Sequence, residues 1–141
     1  MKKIFSLVAF ITLILMSSIS IASDMNFNTK MELKAGQVVT LTINSIQNEF
    51  KKIARWDAIT VASYNQKENK VTIEILGGRN SLDGAKESTS DYIEKILKPM
   101  IELINNSYNL SLTTKDFTVI YTYKRNKKQL LKYENEQYIA L

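Results

Sequence analysis

The hydrophobic residues of this chain change their spacing three times, and the order of those changes restricts the fold more than any other feature. Val39, Ile43, Ile46, Phe50 and Ile53 recur at intervals of four and three, the stripe of an amphipathic helix. Val39 to Asn44 also alternates as a half-buried strand would, but over a much shorter stretch than the stripe. A helix over about 36–55 is therefore expected. A period of two comes next, with Ile59, Val61 and Ser63 alternating against Thr60, Ala62 and Tyr64. Val71, Ile73 and Ile75 alternate against Thr72 and Glu74, and the polar stretch Asn65 to Asn69 between the two makes a hairpin.

Gly77-Gly78-Arg79-Asn80 breaks the alternation, and Ser81 or Asp83 caps a second helix running to about Tyr108. Its inward positions are Ala85, Tyr92, Ile96, Met100 and Ile104, widened by Ile93, Leu97, Ile101 and Leu103. Pro99 lies inside it and lacks the N–H that the helix needs, so a kink near 96–98 or a restart with Pro99 in the first turn is expected. A second hairpin pairs Phe117–Tyr123 with about Gln129–Glu134, and Tyr138-Ile139 adds a short last strand. The expected product is an α+β two-layer sandwich in the order α-β-β-α-β-β, with an antiparallel sheet of about four strands and two helices on one face. Ile59-Thr60-Val61 and Phe117-Thr118-Val119 resemble each other over three positions, as any two strands can by chance, and the resemblance agrees on which face points inward. The outer face would then show Thr60, Ala62, Tyr64, Thr72, Thr118, Ile120 and Thr122, with Trp56 at the edge of the core.

Residues 1–22 stand apart. Met1-Lys2-Lys3, the apolar run Ile4–Met16 and the small residues ending in Ser20-Ile21-Ala22 have the three-part order of a secretory signal peptide. Retention as an anchor is the competing reading, because Ile4–Ala22 approaches the ~20 residues that span a bilayer. Residues 23–34 read as a flexible leader and 35–141 as one domain, with no second apolar run long enough to span. The expected location is the periplasm or the exterior of a bacterial cell, a source to which the Lys-, Asn- and Ile-rich composition also points.

The 141-residue chain contains no histidine and no cysteine. That removes imidazole bases, Ser-His-Asp triads, His-ligated metals, thiolate nucleophiles and disulfides. The formal charge of +5 becomes +3 when residues 1–22, which hold Lys2 and Lys3 and no acid, are set aside. Lys124-Arg125-Asn126-Lys127-Lys128 carries four positive charges and no acid, more than the whole of that excess. Basic residues beside Tyr121, Tyr123 and Tyr133 fit an anionic partner, which for an exported chain means an envelope component or a protein and not nucleic acid. The same run also serves simply as a solvated hairpin tip that discourages edge pairing.

Two other groups carry candidate chemistry. Gly78, Arg79 and Asn80 occupy a strand-to-helix turn, where backbone N–H groups and a guanidinium can hold an anion, although no phosphate-loop motif is present. Asp83, Glu87 and Asp91 share a helix face, but acids early in a helix are what its dipole favours, so neither a metal nor a cofactor is expected. The residues thus point to a non-enzymatic binding, inhibitor or accessory module. Its recognition residues would be Lys124, Arg125, Lys127, Lys128, Gly78, Arg79 and Asn80. Two alternatives remain open: a small hydrolase using a carboxylate pair on a cell-wall or polysaccharide substrate, and a carrier or sensor with a pocket between helix and sheet.

Overall fold

The computed structural model describes residues 31–141, and their side chains from residue 35 onward. The signal-peptide reading of residues 1–22 lies outside the described residues. Helix α1 (Met31–Ala54) settles the conflict over 36–55 in favour of the helical stripe, and takes in residues 31–34 of the segment read as a leader. Its end is a Schellman turn: Trp56 N–H bonds Lys51 O at 2.9 Å and Arg55 N–H bonds Lys52 O at 3.2 Å. Arg55 supplies the left-handed residue at φ 53°, a place usually held by glycine.

Strands β1 (Ile59–Asn65) and β2 (Lys70–Gly77) form the first hairpin. Ser81 then caps helix α2 (Leu82–Tyr92), its Oγ accepting from Gly84 N–H at 3.1 Å. The helix widens into a single π turn, Ile93–Leu97, where Lys98 N–H reaches back to Ile93 O. Helix α3 (Lys98–Tyr108) follows with Pro99 in its first turn. Pro99 thus falls in the first turn of α3, as expected for a restart, but the backbone stays helical through Leu97 and Lys98 and the break takes the form of the widened π turn just before the proline. A capping box at Thr113–Asp116 turns the chain into β3 (Phe117–Tyr123), followed by β4 (Lys128–Glu134) and β5 (Gln137–Ala140).

The architecture is α+β, but the sheet departs from expectation. It has five strands in the order β1-β2-β3-β4-β5, and the central pair β2/β3 is parallel, so the sheet is mixed. The element order is therefore α-β-β-α-β-β-β. The cause lies in the connection: α2, the π turn and α3 carry the chain from the end of β2 back to the level where β2 began. The next strand must then run the same way, as crossover connections require. β5 is added by a two-residue turn, Asn135-Glu136, with φ of 50° and 63° as a type I′ turn demands.

The face assignment also needs correction. Phe117, Val119 and Tyr121 point into the core with Val71, Ile73 and Ile75, and the helices contribute Ile43, Ile46, Tyr92, Ile96, Leu97, Met100 and Ile104. On β1, however, Thr60 and Ala62 are buried while Ile59 and Val61 are exposed, so the short sequence match with 117–119 misled. The reason is α1, which lies close along β1. Asn44 grips the main chain of Ala62 at both its N–H (2.9 Å) and its C=O (2.8 Å). Gln47 donates to Thr60 O at 3.1 Å and accepts from Thr60 Oγ1 at 2.7 Å. Only small side chains fit beneath a helix held that close. Thr118 and Thr122 do lie on the helix-free face, yet are buried, because Glu134 and Glu74 fold over them and accept their hydroxyls.

Candidate functional site

At the C-terminal ends of β2 and β3 the parallel register pairs Gly77 with Tyr123, and Lys124 N–H continues the ladder to Gly77 O at 2.9 Å. Two segments 46 residues apart (124 minus 78) are thereby placed side by side. The Gly-rich turn and the first residue of the basic hairpin now line one open cleft of about 570 Å³. The segment entering β1 closes its other side with Trp56, Asp57, Ala58 and Ile59. Ser88 of α2 and Tyr121 of β3 complete it.

Local chemistry fixes each wall. A Cβ on Gly77 would stand 2.1 Å from the Tyr121 hydroxyl, so this position accommodates no side chain. That close approach lets Tyr121 Oη accept the Arg79 N–H at 2.8 Å, which pins the turn. Burial pushes the Tyr121 phenol up, against the opposing pull of the Arg79 N–H and guanidinium. Trp56 is set by the Schellman turn and packs on Tyr92 with ring centroids 5.2 Å apart. The Lys51 ammonium lies 5.9 Å from the Trp56 ring centre. Partial burial holds Lys51 below the usual lysine range, with Asp57 pulling the other way.

Charge is distributed unevenly. Lys52, Lys70, Lys95, Lys98, Lys115 and Lys132 each pair with a carboxylate. Arg79, Lys124, Arg125, Lys127 and Lys128 make no ion pair among the described residues, and all five are exposed. Asp57 is the one acid lining the cleft. The acids Asp91 and Glu94 of the helix are engaged by Lys95 at 3.0 Å and Lys98 at 2.6 Å. No group of three metal-ligating side chains occurs among the described residues.

Of the residues singled out in the sequence, Gly78, Arg79 and Lys124 line the cleft. Arg125, Lys127 and Lys128 stand on the hairpin beyond its rim, and Asn80 is exposed but outside the lining. Trp56, Asp57, Ser88 and Tyr121 are additional, and no spacing in the sequence joins them. The β1/β2 hairpin brings Trp56 and Asp57 to the end of β2, α2 brings Ser88, and the parallel register sets Tyr121 beside them. No protein-family model, curated protein or solved structure matches this chain.

Proposed function

We propose that the chain is an exported, non-enzymatic binding module whose recognition site is this cleft. It takes an anionic group, carried by an envelope component or by a protein partner, between Arg79 and Lys124. The observation that carries the reading is the convergence of two unpaired cations from separate loops on a cleft holding a single acid. The guanidinium offers a fork of donors and Lys124 a point charge, which together suit a phosphate, sulfate or carboxylate. On the two-layer arrangement, with both helical segments behind one face of the sheet, the binding groups come from loops at a strand end and leave the core undisturbed. Export rests on the pattern of residues 1–22. The hydrolase alternative requires two carboxylates flanking the scissile bond, and the cleft lining supplies Asp57 alone. The carrier alternative requires a ligand-sized cavity between helix and sheet, and the apolar pocket there, lined by Val39, Tyr64, Val71, Leu112 and Phe117, is about 200 Å³, below the roughly 300 Å³ at which such sites begin.

Trp56, the only tryptophan, makes the test direct. Titration of the chain with inorganic polyphosphate should change its fluorescence. Substituting Arg79→Ala and Lys124→Ala together should weaken binding by at least about tenfold, the worth of one or two charge-assisted hydrogen bonds. Unchanged affinity in that variant would refute the site.

A further inference from the structure

The cleft occupies one part of a larger surface. The loops at this end of the sheet are 55–58, 78–81 and 124–127, together contributing Arg55, Arg79, Lys124, Arg125 and Lys127, with Lys128 adjoining, against the acid Asp57, with Asp83 adjoining in the first turn of α2. The loops at the opposite end, 66–69, 109–116 and 135–136, contribute Lys67 and Lys115 against Glu68, Asp116 and Glu136. The molecule is therefore electrically polarised along its strands.

Exposed aliphatic side chains share the same polarity. Ile53 in the last turn of α1 is 60% exposed, Ile59 at the start of β1 58% and Leu82 at the start of α2 45%. Leu141, just beyond β5 and tied to Leu130 O, is 53% exposed. All four sit at the basic end. The other exposed large aliphatics, Leu41, Val61 and Ile139, lie along the elements, and none is in the loops of the opposite end. Five strands make an end roughly 20 Å across, wide enough for several headgroups at once.

We propose that this end docks on an anionic lipid surface, the loop cations meeting headgroup phosphates while Ile53, Ile59, Leu82 and Leu141 enter the interfacial layer. This deepens the cleft reading on which it rests by naming what carries the anionic group. Charge complementarity favours an anionic partner, and the aliphatics choose a bilayer among such partners. Ile59 edges the cleft, while Ile53, Leu82 and Leu141 project singly from other elements outside it instead of sharing one groove, which suits a fluid surface. Each lysine or arginine near an anionic membrane contributes about a fivefold factor in affinity, and screening by salt removes it.

Co-sedimentation of the chain, as recovered from the cell, with phosphatidylglycerol vesicles tests the proposal. Phosphatidylcholine vesicles report any contribution of the apolar run Ile4–Met16. Binding should be much tighter to phosphatidylglycerol and should weaken with added salt. Lys127→Ala with Lys128→Ala should lower it by about twenty-fivefold if each cation counts independently. Ile53→Ser with Leu82→Ser should lower it about tenfold or more, while leaving the polyphosphate titration unchanged. Equal binding to both vesicle types would overturn the proposal, as would aliphatic variants that bind like the parent. In either case intact polyphosphate binding would preserve the cleft reading and point to a soluble polyanion or an acidic protein. Loss of polyphosphate binding in the parent chain would remove both readings.

Discussion

Two residues, Arg55 behind the cleft and Glu134 at the far end of β4, sit in conformations or environments that can be measured. Arg55 holds a left-handed backbone at φ 53° to complete the turn that aims Trp56, and its side chain has no partner among the described residues. A side chain in that region costs of order 1 kcal/mol that glycine avoids, partly offset by glycine's larger unfolded-state entropy. Arg55→Gly should therefore stabilise the fold by about 0.5 kcal/mol, read as a higher urea midpoint at unchanged slope. Glu134 behaves differently. It accepts from Lys132 at 2.9 Å and Thr118 at 3.2 Å and lies 3.6 Å from Lys70. The Lys132 bond above all, helped by Thr118 and the nearby lysine charges, holds its carboxyl below the usual range despite the opposing cost of burial. A depressed carboxylate stabilises the folded state above its unfolded pKa, and that contribution is lost as pH falls through the folded value. Urea midpoints should thus fall on the acid side of about pH 4.3, the ordinary glutamate value, and Glu134→Gln should flatten that fall. An acid limb equally steep in the variant would assign the dependence to other carboxylates.

At the scale of elements, α1 and β1 act as one unit. A β-strand at a sheet edge offers unpaired main-chain groups to any passing strand, and here Asn44 and Gln47 occupy those of Ala62 and Thr60. Asn44→Ala should cost about 1–2 kcal/mol for the two lost bonds and produce concentration-dependent self-association visible by light scattering. The helical stripe and both hairpins were legible because each rests on local periodicity, and Pro99 announced the break in its helix. The orientation of β1 was not legible. Alternation reveals that two faces exist, and the choice between them was made by two amide side chains fifteen or so residues upstream, whose role no local pattern encodes. Tyr121 and Gly77 illustrate the same point from inside the cleft. Tyr121→Phe leaves the Arg79 N–H without its acceptor and should weaken polyphosphate binding along with stability, by about 1–2 kcal/mol in the latter.

For the molecule as a whole, the controlling fact is the parallel pairing of β2 with β3. An antiparallel pair would have put the Gly78-Arg79 turn and the basic hairpin at opposite ends of the sheet. The parallel register puts them together, and the antiparallel β1/β2 hairpin adds Trp56 and Asp57 from the end of α1. The sequence marked the two cationic groups separately, because charge runs and glycine turns are visible one at a time. Their union depends on which way a helical crossover returns the chain, and the order helix, hairpin, helix, hairpin suits either direction. The protein is polarised as a result, with five exposed cations that make no ion pair among the described residues, Arg79, Lys124, Arg125, Lys127 and Lys128, gathered at one end. The measurement that tests this most directly is amide chemical-shift mapping during titration with polyphosphate at low salt. Shifts concentrated in 56–59, 77–81 and 124–128 are the predicted result. Shifts spread evenly, or centred on 66–69, 109–116 and 135–136, would contradict it.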